Sequence, residues 1–155
     1  MKTSLEATLY VAALLILSAL LVGEGRKRAQ LEASLDVAPR ELYRMMAGAG
    51  ARLQLVDIRP DISGNYEDSR VPGSLPFPGC DEKDTPPSAM ERILPSVPTV
   101  IITGDGDRAA FEKCRGRFAF ARNLQGGVDA WVEAHLPEDS GEYVPPKAGA
   151  GGGCL

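Results

Sequence analysis

The sequence has little histidine, little cysteine and no excess of basic residues. His135 is the only histidine among 155 residues, which leaves little room for a histidine-based metal site or a histidine-driven catalytic triad. Cys80, Cys114 and Cys154 are too few and too scattered for a disulfide framework, and their odd number leaves at least one unpaired within the chain. With 17 basic and 21 acidic residues the formal net charge is -4, so the sequence indicates no nucleic-acid partner.

The length and the apolar content bound the architecture. A chain of 155 residues suits one globular domain and excludes a multidomain enzyme. Because 44% of the residues are hydrophobic, a wholly disordered chain is also excluded.

The longest uncharged run lies near the N-terminus, at residues 7–23. As a helix it would span roughly 25 Å, the short end of what crosses a hydrocarbon core of about 30 Å. We therefore expect a transmembrane helix at 7–23, with a flank at 1–6 and a charged juxtamembrane linker at 24–36. Two alternatives remain: a cleaved secretory signal, which the residues near the end of the run fit poorly, and a buried core helix, which the all-round apolar surface disfavours.

The basic residues that flank this run predict its orientation. Lys2 and the free amine precede it, whereas Arg26, Lys27 and Arg28 follow it. The positive-inside rule then places the rest of the chain in the cytoplasm, as a single-pass membrane protein. The margin is one or two charges, and the opposite orientation would place the domain in the periplasm or an equivalent space.

Strand and helix patterns alternate through the rest of the chain. The β-branched run at 99–103 suits a strand buried on both faces of a parallel sheet. Further strands are expected at 53–58 and 121–124, a short one at most within 71–79, and helices from Pro39, at the end of 80–94, from about Arg108 to Arg117 and at 126–135. This alternation predicts an α/β fold with a mainly parallel sheet, followed by a flexible glycine-rich tail at 139–155.

Four local patterns stand in a fixed order along the chain. They are LVDIR at 55–59, RVPGSLPFP at 70–78, VIITGDGDR at 100–108 and NLQGGVDAWVEAHLP at 123–137. Together they resemble the rhodanese-like domain family, over residues 37–138. The resemblance implies an open, mainly parallel sheet flanked by helices. It also implies a reaction in which a cysteine takes a sulfur atom from a donor such as thiosulfate, holds it as a persulfide and passes it on.

Most residues that carry the resemblance have structural roles. They are Asp57 and Arg59 at a strand end, Pro72 and Gly73 in the second pattern, and Gly126, Gly127 and Trp131 in the fourth. We expect the Asp57 and Arg59 side chains to fix a loop by hydrogen bonds. The glycine pair would allow a tight turn into a helix, and Trp131 would be a core anchor.

The loop that carries the family's nucleophile is altered in this chain. It reads Thr103, Gly104, Asp105, Gly106, Asp107, Arg108, where the family has the form Cys-x-x-Gly-x-Arg. A threonine hydroxyl cannot form a persulfide, and Asp105 and Asp107 would repel an anionic donor. Two such carboxylates could bind a cation or a partner's basic side chain, but solvated loop acids are the commoner case. We therefore assign no catalytic residue, no metal and no cofactor.

The cysteines outside the loop leave an alternative open. We expect Cys114 to be a buried, inert thiol, while Cys80 and Cys154 are candidate reactive thiols. Cys154 is the penultimate residue, on a glycine-rich arm that could bring it to the loop or to a partner.

Two functions from different classes follow from these features. The first is a membrane-anchored, catalytically inactive rhodanese-like domain that acts as a binding or accessory module of a membrane-associated complex. Its partners would be the bilayer, through residues 7–23, and an unidentified protein. The second is a sulfurtransferase or thiol-redox protein that uses Cys154 or Cys80.

Overall fold

The N-terminal part and the domain form separate units. The computed structural model describes residues 10, 14–18, 20, 23, 35–48 and 52–145. It divides the chain into two compact units, Met1–Leu35 and Asp36–Leu155.

Residues 14–18 of the first unit are helical. The Ser18 hydroxyl donates to the Leu15 carbonyl at 2.9 Å. In the described part of the chain, no helix is both long enough and apolar enough to cross a membrane. Most of the predicted span at 7–23 lies outside the described residues.

A five-stranded sheet forms the centre of the second unit. Its strands are β1 (Asp36–Val37), β2 (Gln54–Asp57), β3 (Leu75–Pro76), β4 (Thr99–Ile102) and β5 (Ala121–Leu124). They lie in the order β1-β5-β4-β2-β3, and every neighbouring pair is parallel. The predicted α/β class with a mainly parallel sheet is confirmed. All carboxyl ends of the strands therefore share one edge of the sheet, and all amino ends share the other.

Four helices flank this sheet. They are α1 (Pro39–Ala47), α2 (Pro87–Met90), α3 (Arg108–Arg115) and α4 (Gly127–Glu133). Helix α1 begins with a proline, which has no backbone N–H group. The N–H groups in the first turn of a helix have no partner inside that helix, so proline costs no hydrogen bond there. The stretch between β2 and β3 contains one π-helical turn, Ile62–Tyr66, and short 3-10 turns occur at Pro78–Cys80 and Glu82–Asp84.

The core is built around the central strand β4. Val100, Ile101 and Ile102 are fully buried, as the continuous β-branched run requires of a strand covered on both faces. Leu42 of α1 and Trp131 of α4 are also fully buried and join this core. The core thus fixes β4, and with it the loop that leaves its carboxyl end.

A disulfide bond joins Cys80 to Cys114. The two Cα atoms are 5.7 Å apart although the residues are separated by 34 positions in sequence. Both side chains are buried. Cys114 is buried, as predicted, but neither Cys80 nor Cys114 is a free thiol in this structure, because the fold brings the turn Pro78–Cys80 against α3.

Removing this cross-link should weaken the domain. In the chain-entropy account, a disulfide that closes a loop of this length stabilises by about 3 to 4 kcal/mol. We expect the double change Cys80→Ala and Cys114→Ala to lower the free energy of unfolding by about 2 to 4 kcal/mol, measured by denaturant titration. Cys154→Ala is the matched control and should leave stability unchanged. An unaltered unfolding midpoint in the double variant would show that the bond contributes nothing.

Candidate functional site

The loop Thr103–Arg108 joins the carboxyl end of β4 to the start of α3. Helix α4 also begins against it. The N–H of Val128 donates to the Thr103 carbonyl at 2.9 Å, and the N–H of Asp129 donates to the Gly104 carbonyl at 2.9 Å. The loop is therefore held between the first turns of two helices, at the middle of the sheet's carboxyl edge. In open parallel sheets this edge is where ligands bind.

The side chain of Thr103 is buried, with 4% of the residue exposed. Among the described residues its hydroxyl oxygen has no hydrogen-bond partner. A buried hydroxyl without a partner costs about 1 to 3 kcal/mol, so this position is not optimised for stability. Since no group in the described part of the chain hydrogen-bonds to this hydroxyl, no base is placed there to activate it as a nucleophile.

Three N–H groups, at the end of the loop and in the first turn of α3, are bound by the loop's own carboxylates. Asp107 Oδ1 accepts from the N–H of Ala109 at 2.8 Å and from that of Ala110 at 3.3 Å. Asp105 Oδ1 accepts from the N–H of Asp107 at 3.0 Å. A helix start with free N–H groups attracts anions. Here two carboxylates already occupy these donors, and an external anion would have to displace them.

Arg108, the last residue of the loop, is engaged elsewhere. Its guanidinium forms an ion pair with Asp36 of β1 at 2.6 Å and a second one with Glu112 at 3.4 Å. It also lies over the ring of Phe111, 5.0 Å from the centroid. The arginine thus connects the loop to the edge strand β1.

Three glycines allow the loop to lie directly against the start of α4. Gly106, Gly126 and Gly127 all have positive φ, at 84°, 69° and 59°. A Cβ on Gly106 would lie 2.5 Å from the backbone nitrogen of Gly126, and a Cβ on Gly127 would collide with the carbonyl oxygens of Thr103 and Gly104. Gly126 and Gly127 are required here because the close contact leaves no room for a Cβ atom and because their positive φ angles favour glycine.

Adding a methyl group at Gly127 should disrupt the loop. We expect Gly127→Ala to cost about 2 to 4 kcal/mol of folding stability, because it adds a backbone collision to a strained φ. Gly104→Ala is the matched control, since no heavy atom lies within 4 Å of its Cβ position. The check is chemical denaturation of both variants. Equal stabilities would contradict the close packing between the loop and α4.

Asp57 and Arg59 fix the loop that follows β2. The guanidinium of Arg59 donates to both carboxylate oxygens of Asp57, at 2.8 to 3.1 Å, and to the carbonyl of Ser69 at 2.7 Å. Asp57 is 1% exposed. Burial raises the pKa of the Asp57 carboxyl, and the hydrogen bonds and charge of Arg59 only partly oppose that rise. Arg59 and Ser69 lie in the loop that follows β2, so the bonds of Arg59 to Asp57 and to Ser69 hold this loop against the strand end.

The segment that matches the second pattern is fixed in a similar way. Arg70 is buried and lies over the ring of Tyr66, 4.8 Å from the centroid, and its backbone pairs with that of Asp139. The Tyr66 hydroxyl donates to the Ser74 carbonyl at 2.6 Å, and burial raises the Tyr66 pKa to about 12. Gly73, after Pro72, takes a positive φ of 74° in this turn. The segment predicted as a tail at 139–155 therefore begins with residues that contact the domain.

Trp131 is fully buried on α4. Its indole N–H donates to the Pro137 carbonyl at 2.7 Å, and its ring meets that of Tyr43 edge-on at 6.2 Å. These contacts hold α4, and therefore the first turn that touches the loop, against α1.

Two interactions of the site were missed by sequence reasoning. Asp107 was predicted only as a loop acid, but it is the N-cap of α3, and an aspartate directly before a predicted helix is a local signal of that role. Asp36 binds Arg108 from 72 positions away, and no local pattern signals such a pairing. Of the two candidate reactive thiols, Cys80 is disulfide-bonded to Cys114, and Cys154 lies outside the described residues.

Comparison with known proteins gives consistent matches. A family model described as Rhodanese-like domain matches residues 38–134. A full-length protein from Lactobacillus plantarum is 15% identical with a TM-score of 0.63, and the match covers 76% of this chain and 98% of that one. The solution structure of the rhodanese-like domain from an Anabaena sp. protein is 17% identical with a TM-score of 0.55, covering 77% and 87%. Both likenesses are of the fold alone.

A third similar structure is an enzyme. Thiosulfate sulfurtransferase from Pseudomonas aeruginosa is 25% identical with a TM-score of 0.55. The match covers 70% of this chain but only 20% of that protein. No curated protein matches the chain in sequence.

Proposed function

Because the chain belongs to the rhodanese-like domain family, we propose that it is a member without the family's chemistry, held at a membrane, that acts by binding another protein. The observation that carries this proposal is Thr103 at the position of the family's cysteine. Sulfur transfer needs a thiolate that is held and then released as a persulfide. An oxygen atom cannot replace sulfur in that cycle.

The surroundings of Thr103 support this proposal. His135 is the only histidine of the chain, and it follows the C-terminal end of α4, whose first turn contacts the loop. Seven helical residues span about 10 Å, so His135 is not placed to take a proton from the Thr103 hydroxyl.

The charge of the loop also disfavours an anionic sulfur donor. Asp105 and Asp107 are exposed carboxylates that occupy the N–H donors, and Arg108 is bound to Asp36. A partner that meets this loop would therefore offer a basic side chain, since two carboxylates favour a cation over thiosulfate.

A sulfurtransferase assay tests the proposed loss of chemistry. We expect the full chain to give no thiosulfate:cyanide turnover above the uncatalysed rate, and Thr103→Cys alone to give little. Adding Asp105→Asn and Asp107→Asn should raise the rate of the Thr103→Cys variant about tenfold, since asparagine keeps the shape and the N-cap but removes both charges.

Each control in this assay has a defined consequence. Cys154→Ser should change nothing in the unmodified chain. Turnover that disappears in this variant would instead establish the alternative function, with Cys154 as the sulfur carrier. Robust turnover from Thr103→Cys alone would refute the role of the two carboxylates.

The proposed anchor is the uncharged run at 7–23. Among its described residues, Leu14, Leu15, Ile16 and Leu17 are 65%, 65%, 63% and 55% exposed. Neighbouring leucine and isoleucine side chains exposed around a helix are costly in water, and a hydrocarbon environment would remove that cost.

We propose further that the domain lies in an oxidising compartment. Disulfides persist in the periplasm and in secreted proteins but are rare in the cytosol, and Cys80 is bonded to Cys114. The flanking charges favour the opposite orientation, but only by Arg26, Lys27 and Arg28 against Lys2 and the free amine. We give more weight to the disulfide, because that margin is one or two charges.

Membrane extraction with thiol trapping tests both points. We expect the full chain to remain in membranes washed at alkaline pH. A maleimide reagent added to cells lysed directly in denaturant should modify one thiol, Cys154, and three only after reduction. Release by the alkaline wash would contradict the anchor, and three reactive thiols without reduction would place the domain in the cytoplasm.

A further inference from the structure

The segment that follows α4 folds back on the domain, and we call its residues 138–142 the strap. The N–H of Arg70 donates to the Asp139 carbonyl at 2.9 Å, and the N–H of Asp139 donates to the Arg70 carbonyl at 3.0 Å, as one antiparallel bridge. Two residues later, the N–H of Gly141 donates to the Glu67 carbonyl at 2.6 Å. The strap therefore lies along the end of the loop that joins β2 to β3.

The strap is held largely through its main chain. All of residues 138–142 are exposed. Their side chains add a hydrogen bond from the Ser69 hydroxyl to the Glu138 carboxylate at 2.5 Å. Main-chain hydrogen bonds do not depend on the side chains, so a different extended segment could form the same bonds. An exposed segment that buries few side chains also opens locally at low cost.

Arg70 is the charged group beneath the strap. It is 9% exposed, and its guanidinium donates to the Gly141 carbonyl at 2.5 Å and to the Ser140 carbonyl at 3.4 Å. In the described part of the chain no carboxylate forms an ion pair with it, and Asp57, whose pKa its charge lowers, is bound to Arg59 instead. A buried guanidinium is better compensated by a carboxylate than by neutral carbonyls, because hydrogen bonds between ionised groups are stronger.

The Gly141 carbonyl oxygen is the acceptor closest to Arg70. A chain that followed the path of the strap and ended at this position would carry its terminal carboxylate there. It would keep the main-chain bonds of Asp139 and Gly141 and would replace a neutral acceptor of Arg70 by a charged one. The strap begins after residue 134, where the match to the family model ends, so the matched domain does not include it.

We propose that the strap covers a binding site for the C-terminal end of another polypeptide. Arg70 pairs with the terminal carboxylate, and the backbone of Glu67 and Arg70 binds the last residues in an extended form. The strap competes from within the same chain, at an effective concentration of about millimolar or more, and so keeps the site closed until a stronger ligand displaces it. Neither the anchor nor the loss of sulfur transfer enters this argument.

Fluorescence anisotropy with a labelled peptide tests the site. The probe is Leu-Pro-Glu-Asp-Ser-Gly, the sequence of residues 136–141, made once with a free C-terminal carboxylate and once as the C-terminal amide. It is titrated with the full chain and with the double variant Asp139→Pro and Gly141→Pro, which lacks the two N–H groups that hold the strap. Glu142→Pro is the matched control, because in the described part of the chain the N–H of Glu142 has no partner.

The expected result is selective binding of the free acid. It should bind the double variant about tenfold or more tightly than it binds the unmodified chain or Glu142→Pro, because the strap no longer competes. The amide should bind the double variant about tenfold more weakly than the acid, because only a neutral carbonyl then meets Arg70. Adding Arg70→Gln should make the two peptides equal, with thermal melts to establish that each variant is folded.

Each contrary outcome removes a defined part of the proposal. Equal affinities for the acid and the amide would overturn the role of the carboxylate. Equal affinities of the double variant and the unmodified chain would overturn the strap as a cover, and no binding to either would overturn the site.

Hydrogen–deuterium exchange of the unmodified chain decides the question if the double variant does not fold. The free-acid peptide, at about millimolar concentration, should speed exchange at the amides of Asp139 and Gly141, because it releases the strap. The amide peptide should have little effect. Exchange that neither peptide changes would overturn the proposal.

Discussion

The start of α3 is bound by a carboxylate from its own loop, and this interaction decides what the site can do. A helix leaves its first N–H groups without partners inside the helix, so something else must bind them. In the family's loop these donors surround a sulfur atom and its anionic substrate. In this chain Asp107 accepts from two of them and Asp105 accepts from the N–H of Asp107. Three of the N–H donors at this helix start are therefore bound within the chain, and an anionic ligand must compete with these carboxylates for them.

Arg108, at the end of the same loop, is bound to the sheet. Its guanidinium meets Asp36 in the edge strand β1, on the far side of β5 from the centre. A two-residue strand gains few hydrogen bonds from the sheet, so this ion pair and the donation from Arg122 to the Asp36 carbonyl at 2.8 Å help to hold it. Arg108 thus connects the loop to the first strand of the sheet.

The extent to which this structure could be predicted follows from the range of each interaction. Strands β2 and β4 come from apolar or β-branched runs, and the predicted bounds of β2, β4 and β5 differ from the observed ones by at most one residue. The Asp57 and Arg59 pair is local, two residues apart, and its role was foreseeable. Strand β1, the ion pair of Arg108 with Asp36 and the bond between Cys80 and Cys114 depend on contacts between distant segments, which no local pattern encodes.

Under the oxidising location and the binding role proposed above, the disulfide and Thr103 suit one environment. A compartment that keeps Cys80 bonded to Cys114 also exposes other thiols to oxidants. A catalytic thiolate in a loop whose N–H donors are free would have a lowered pKa and would be readily oxidised in such a compartment. Threonine has nearly the volume of cysteine and a similar shape, but it is inert to this chemistry. Replacing the thiol at this position therefore keeps the packing of the loop and removes the group that an oxidising compartment would damage first, which suits a domain that acts by binding.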